Sequence, residues 1–504
     1  MEFWFIFLTL CICFVLKLFL NLILDKKYNK REHKLKLPLP PGPFTFPIIG
    51  NFFWLRKSFL DLEPILRELH AKYGPVVSLH IGSQRAIFIK THALAHQALI
   101  KNGAIFASRP PLLLIHRFDI NSMGFGPVWR LLRRNLTTEM LHPSRLKSYA
   151  HARKWVLQVL INKLKVESQS GNAVLVTNHI RYANFSLLVF MCFGKKLDEK
   201  EVREIEAIQT TILRNTSRFN VLVFLPWLGR IFFRKLWNEL LEILRKQENL
   251  LIPLIKARNS KLEEDFADSY VDTLLDLKLP DDGRKLSEAE LVSLCSEFLI
   301  AGTDSTSTAL QWILANLVKH QHIQSKLATE IDGVVGPGEE INEEDLQKMP
   351  YLKAVVLEGL RRHPPMHFLL PHAVTEDTTL NGYLIPKNST TVNVTVAEIS
   401  RDPHTWEDPM EFRPERFLSS IVEGEEVIDI TGKKEIKMMP FGAGRRICPA
   451  LGLALLHMEY FLANLVRDFE WKARDGDDID LSEKIHLSVV MKNPLHALIY
   501  SRRR

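Results

Sequence analysis

Apolar positions along this chain recur every three to four residues over most of its length, the spacing of a helix with one buried face. The windows that carry the pattern predict helices over 61–73, 127–140, 144–165, 180–193, 201–217, 235–258, 287–319, 321–334, 352–362 and 450–467. Alternation with period two is confined to short runs: 76–81 with 86–89, 383–385, 391–396, and 485–490 with 497–500. These predict small sheets at the periphery of a mainly-α body. The window 287–319 is the longest and is mostly apolar, so it predicts a helix through the middle of the protein. Inside it, Ala301-Gly302-Thr303-Asp304-Ser305-Thr306 is a cluster of poor helix formers. Their side chains compete for backbone hydrogen bonds, and a bend or opening of the helix is expected there.

One run has no period. Residues 3–24 are apolar apart from Thr9, Lys17 and Asn21. At the helical rise such a run spans roughly 33 Å, enough to cross a bilayer core. No basic segment precedes it and no small-x-small site follows, which argues against a cleaved signal peptide. Residues 25–36 hold six Lys/Arg against two acids, so this flank is expected to stay cytoplasmic. Pro38, Pro40, Pro41 and Pro43 around Gly42 cannot continue a helix and make a stiff spacer. The expected organisation is a transmembrane anchor over 1–24, a basic and Pro-rich linker over 25–45, and one large domain over 46–504. Six minus two gives the flank +4 of the net +8. What remains is mild, and with no basic stripe carrying aromatics nothing supports a nucleic-acid partner. The five cysteines have neither disulfide nor zinc-site spacing, which fits a reducing compartment. On that side of the membrane the sequons at Asn135, Asn184 and Asn393 stay unmodified.

The segment Phe441-Gly-Ala-Gly444-Arg-Arg446-Ile-Cys448-Pro449-Ala450 leads into the last predicted helix. Pro449 reads as its first position, which puts Cys448 at a helix N-terminus where the dipole favours a thiolate. The Gly-rich turn before it can aim backbone N–H groups at the sulfur. A dinucleotide-binding turn needs a third Gly and an acidic ribose partner, and both are missing here. The chain contains no Gly-x-Ser-x-Gly elbow and no phosphate loop, so hydrolase and kinase functions have no anchor. His92 and His96, four apart without a zincin Glu, read as a solvated helix face. A lone cysteine is ordinarily structural; the residues around this one say otherwise.

They resemble the haem-binding loop of cytochromes P-450, Phe-x-x-Gly-x-Arg-x-Cys-x-Gly. Phe441, Gly444, Arg446 and Cys448 match, and Ala450 departs from the usual Gly. Four further motifs fall in the family's order. Glu358-Gly-Leu-Arg361 with Arg416 resembles a buried structural charge cluster. Trp129-Arg-Leu-Leu-Arg133 resembles the helix whose Trp and Arg meet a haem propionate, and His372 and Arg446 stand where further propionate donors are placed. The central cluster resembles the oxygen-activation motif: Asp304 would pass protons, Ser305 stands where Thr is usual, and Thr306 could share the hydroxyl's role.

The resemblance implies a single large haem-thiolate domain, mainly α with small peripheral β-sheets, behind one transmembrane helix. It implies heme b with Cys448 as axial thiolate. The reaction is monooxygenation with O2, with electrons from an NADPH-cytochrome reductase in the membrane. Arg130, Arg134, Lys437 and Arg445 would face and steer that reductase. The location implied is the endoplasmic reticulum membrane, single-pass, with the catalytic domain cytosolic. Anchor, spacer and loop resemble plant members, and the final helix resembles plant family eighty-nine. Candidate pocket segments 110–125, 214–233, 298–301 and 366–370 are rich in Leu, Ile and Phe, which suits a lipophilic small molecule. The apolar stretch 221–233 is expected to dip toward the bilayer. Two other functions share these motifs. A haem-thiolate isomerase or dehydratase would have little use for Asp304 and Ser305, and would consume no oxygen. A membrane-tethered haem-binding module would give no product.

Overall fold

The computed structural model describes residues 37–44, 62–81, 84–110, 118–169, 171–224, 232–260, 268–387, 390–422, 429–474, 476–486 and 488–502. The anchor expected over 1–24 lies outside them, with most of the linker. No helix among the described residues is long and apolar enough to cross a membrane. In chain order the helices are α1 (Leu62–Tyr73), α2 (His92–His96), α3 (Pro127–Asn135), α4 (Pro143–Ser148), α5 (Ala150–Ser168), α6 (Val176–Phe193), α7 (Glu199–Phe224), α8 (Arg234–Ser260), α9 (Tyr270–Leu275), α10 (Glu288–Lys319), α11 (Gln321–Val334), α12 (Pro350–Arg362), α13 (Val396–Ser400), α14 (Glu415–Val422) and α15 (Leu451–Asp468). The strands are β1 (Val76–Ile81), β2 (Gln84–Ile89), β3 (Val174–Leu175), β4 (His372–Ala373), β5 (Thr378–Leu380), β6 (Tyr383–Ile385), β7 (Thr390–Val394), β8 (Phe469–Lys472), β9 (Glu483–Ile485), β10 (Val489–Met491) and β11 (His496–Ser501).

The chain gathers into two compact units, a division no linker in the sequence announces. One comprises the described residues up to Pro110 with those of Phe368–Ile399 and Thr431–Arg446. Its sheet runs β1-β2-β7-β4, with β2 and β7 parallel. Side chains alternate across a sheet, and here both faces are covered. Val77, Leu79, Ala86 and Phe88 pack under Leu62, Leu66 and Leu69 of α1. Val76, Ile87 and Ile89 face the other way, onto Leu94, Leu99 and Phe106.

The second unit holds the remaining residues and is helical around α10. Ser287 caps α10 in a capping box with Glu290, as a helix starting from polar chain requires. Glu358 and Arg361 are completely buried, with Arg361 Nε donating to Glu358 Oε2 at 2.7 Å. Arg416 Nε adds a donor at 3.1 Å, and the other Arg361 nitrogens take the carbonyls of Ser400, Pro409 and Glu411. The charge cluster is therefore a fully hydrogen-bonded clasp of three segments.

Three expectations change. α10 is continuous through 301–306. Thr303 and Ser305 donate to the carbonyls of Leu299 and Ala301, four residues back, and Asn184 Nδ2 of α6 donates to the Gly302 carbonyl at 3.1 Å. The polar groups are satisfied without opening the helix. The run 485–490 is two strands, β9 and β10, paired antiparallel around a turn. The helix over 127–140 is α only to Asn135 and ends in a π-turn over Leu136–Met140. There Thr137 and Thr138 hydroxyls donate to the carbonyls of Arg133 and Arg134.

Candidate active site

α15 starts at Leu451, with Ala450 as its N-cap at φ −95°. Pro449 thus lies in the preceding turn and is not the first helical residue, a correction to the proline signal. The negative φ at Ala450 needs no glycine, so the departure from the family pattern costs no backbone strain. Cys448 sits in that turn, half-buried. Burial pushes its thiol up, while the Ala450 amide donating to the sulfur and the Arg133 guanidinium act against the rise. A buried thiol of this kind keeps its proton until a cation meets the sulfur, and two donors already face the position a thiolate would hold. The turn fits a thiolate ligand to iron.

α3 supplies the guanidinium. Arg133 Nη2 donates to the carbonyl of Ile447, next to Cys448. Burial pulls Arg133 below its ordinary value, opposed by Cys448 and Glu297. Trp129 is buried, and its one ring N–H donates to the Ile120 carbonyl at 3.0 Å. The amides of Ile120 and Asn121 donate to the two oxygens of Glu297 at 2.7 and 2.8 Å. Trp129 and Glu297 together hold the 118–122 segment.

On α10, Ala301 is exposed and Ser305 half-buried, whereas Thr306 is 5% exposed. Positions four apart share a helix face, so Ser305 and Ala301 open together and Thr306 faces the core. Asp304 accepts from Arg181 Nη1 at 2.8 Å and from the Ser488 hydroxyl.

The other unit gathers a second set. Gly444 has φ +71°, and a Cβ there would stand 2.1 Å from the Leu99 carbonyl oxygen, so only glycine lets the turn lie on that backbone. Phe441 is half-buried at the start of the same turn. Arg446 Nε donates to the Ala107 carbonyl at 2.6 Å, and Arg109 Nη1 to the carbonyls of Leu370 and Pro371. His372 Nδ1 lies 2.6 Å from the Phe106 carbonyl. A carbonyl only accepts, so Nδ1 carries the proton and Nε2 is left for any other contact. Burial, then the charge of Arg446, brings Arg109 down to about 9. Burial and Arg109 bring His372 down to about 3. Cationic groups pressed together in a dry interior suit carboxylates, as the propionates of haem would supply.

Sequence reasoning missed Arg109, Arg181, Glu297 and Ser488. Only a Pro-flanked Ser108-Arg109-Pro110 hinted at a fixed arginine; the other three are polar residues whose partners are distant in sequence.

Residues 40–500 match the family model described as Cytochrome P450. The chain is 48% identical over 486 residues to cytochrome P450 89A9 of Arabidopsis thaliana, covering 92% of this chain and 94% of that one. It is 31% identical to geraniol 8-hydroxylase of Catharanthus roseus (96% and 98% covered) and 30% identical to flavonoid 3'-monooxygenase of Arabidopsis thaliana (97% and 96%). A zebra fish cytochrome P450 structure with abiraterone aligns with a TM-score of 0.73 at 23% identity, over 88% of this chain and 100% of the other.

Proposed function

Because this chain belongs to the cytochrome P450 family, and is a haem-thiolate monooxygenase, we propose that Cys448 is the thiolate and that a lipophilic plant metabolite is the substrate. The observation that carries the assignment is the half-buried Cys448, faced by the Ala450 amide and the Arg133 guanidinium ahead of α15. When bound, the haem iron supplies the activation of O2 and the transfer of one oxygen atom. The amide and the guanidinium moderate the basicity of the sulfur. Arg109, Arg446 and His372 hold carboxylates; His372 can donate through Nε2 only by taking up a proton, which an adjacent anion favours. Ser305 presents a hydroxyl at the open face of α10, and Asp304 beside it handles protons. Glu297 and Trp129 fix the 118–122 segment, which lies within the 110–125 stretch that the sequence reads as pocket wall. Electrons come from NADPH through a membrane-bound reductase, and the anchor over 1–24 holds the domain at the cytosolic face of the endoplasmic reticulum. The relatives named as hydroxylase and monooxygenase support oxygen insertion over isomerisation.

The test is Cys448→Ser in a folded, haem-loaded protein. The reduced carbon-monoxide complex is expected to lose its red-shifted Soret band; retention of that band means another residue is the ligand. Comparing metabolites from reductase-containing microsomes with and without the protein then identifies the substrate.

A further inference from the structure

The turn between β9 and β10 is fixed against α10. Ser488 in the turn donates its hydroxyl to Asp304 Oδ2, and Trp312 Nε1 of α10 donates to the Val489 carbonyl at 2.8 Å. The His486 amide closes the turn by donating to the Ser488 carbonyl at 3.0 Å. The backbone that carries His486 is thereby held near Asp304. Its ring is exposed and makes no hydrogen bond among the described residues.

Arg214 of α7 comes to the same place. Glu206 and Thr210 of α7 accept from Arg181 Nε and Nη2 at 3.0 and 2.9 Å, and Arg181 Nη1 reaches Asp304 at 2.8 Å. Arg214 stands one turn beyond Thr210 and is its neighbour on the helix surface. The charge of Arg214 acts on His486. The two other arginines of α7 are both satisfied, Arg203 by Glu199 and Arg218 by Asn215 and Glu239. Arg214 has no hydrogen bond or ion pair among the described residues.

The nearby counter-ion is already taken, because Asp304 accepts from Arg181 at one oxygen and from Ser488 at the other. Arg181, Arg214 and Lys484 bring three positive charges here, against two negative ones on Asp304 and Glu206. Burial, then the charges of Lys484 and Arg214, lower the pKa of His486, and Asp304 opposes them. A surplus of one sign gathered at one spot attracts the opposite sign. A guanidinium offers parallel N–H donors, and even a neutral imidazole keeps one N–H. Together they match the two oxygens of a carboxylate. The surface beside them is apolar: Ile208 and Ile212 of α7 pack with Ile300 of α10, which precedes the exposed Ala301. An acid held at Arg214 can lay its hydrocarbon part along that open face of α10.

We propose that Arg214 and His486 recognise a carboxylate on the substrate, so that the molecules oxidised here are lipophilic acids and not neutral lipophiles. This rests on the reading of the substrate as a lipophilic metabolite and names its chemical class.

The experiment uses the full-length, haem-loaded protein with octanoate, dodecanoate and hexadecanoate, each against its methyl ester in the same detergent. Binding is read by equilibrium dialysis, which needs no spectral change at the haem. At least one acid binds more tightly than its ester by on the order of tenfold. Arg214→Gln abolishes that preference and leaves ester binding unchanged, Arg214→Lys restores part of it, and His486→Leu weakens it. Arg218→Gln, one turn further along α7, leaves it intact. Acids that bind no more tightly than their esters in the parent protein overturn the proposal. A preference that survives Arg214→Gln overturns it too, since the carboxylate is then held elsewhere. Turnover with purified reductase and NADPH separates the proposal from its premise. Oxidation of the esters but not of the acids overturns the proposal alone. If acids bind through Arg214 and neither acids nor esters are oxidised, the lipophilic-substrate reading fails, and the proposal with it.

Discussion

Ser305 is one oxygen on a helix, and its consequences follow from a missing methyl. Thr at this position would have a restricted χ1; Ser rotates more freely and here turns back to the Ala301 carbonyl at 3.1 Å. In the role proposed for it, a hydroxyl so engaged would hold a reacting oxygen and its proton less firmly. Ser305→Ala should raise peroxide released per NADPH, with product formation down by on the order of 10²-fold if the hydroxyl acts in proton transfer. Ser305→Thr should lower peroxide or leave it unchanged. Thr306→Ala should leave coupling unchanged, because Thr306 faces the core; a loss of coupling there instead of at Ser305 would reverse the assignment. His457 tests a different physics. It is buried, its Nε2 lacks a hydrogen-bond partner, and burial, then Arg153, brings it down to about 3. A base depressed in the fold takes up its proton on unfolding, so its contribution is intact above about pH 6.5 and lost progressively as pH falls toward 3. Between pH 7.5 and 5.5 the loss is about 1.4 kcal/mol for one such histidine. His363 and His372 run the same way, and Glu459, pushed up to about 7 by burial, runs against them. Denaturation midpoints at the two pH values should therefore differ less in His457→Leu than in the parent protein.

Elements here are joined by polar clasps more than by proximity in sequence. The Glu358–Arg361 pair ties α12 to the segments carrying Ser400, Pro409 and Glu411. Removing one partner leaves a buried charge uncompensated, so Glu358→Ala or Arg361→Ala should cost about 3–5 kcal/mol in a urea titration. A change under 1 kcal/mol would mean that water or a neighbour makes good the loss. α12 also lies close against α10: a Cβ at Gly359 would stand 2.4 Å from Ile313 Cγ1. Overpacking of this kind typically costs about 1–3 kcal/mol, and Gly359→Ala should fall in that range by the same measurement. On α10 itself, a Cβ at Gly302 would meet Leu188 Cδ1 of α6 at 2.8 Å. That Gly302 is part of the oxygen-activation resemblance and also the seat of α6 explains why poor helix formers persist in an unbroken helix.

For the whole molecule the open question is the membrane. Removing residues 1–24 should move the protein out of the membrane pellet while haem binding persists; full retention in the pellet would show that another segment anchors it. Topology needs its own measurement, because the sequons cannot report it: Asn135, Asn184 and Asn393 are 8%, 0% and 7% exposed. A new acceptor sequon placed on an exposed loop, such as around Asp281, should stay unglycosylated in microsomes if the domain is cytosolic.

By itself the sequence determined the element types, the turn that carries Cys448, the charge clasp and the order of the motifs. Each is a local pattern: a helical period, a Gly-rich turn, charges three apart on one helix. It also placed a Gly-rich turn at Gly444, though the left-handed φ there and its reason, the Leu99 carbonyl beneath it, appear only in the fold. The tertiary structure decided what local patterns leave open. It kept α10 unbroken by supplying Asn184 from α6, turned Trp129 to the Ile120 backbone, chose Ser305 over Thr306 as the exposed hydroxyl, and brought Arg109 to His372 and Arg181 to Asp304. Those partners lie 263 and 123 positions apart (372 − 109 and 304 − 181). Polar contacts across such separations depend on how helices and strands pack, and no period or motif along the chain encodes which polar side chain will meet which.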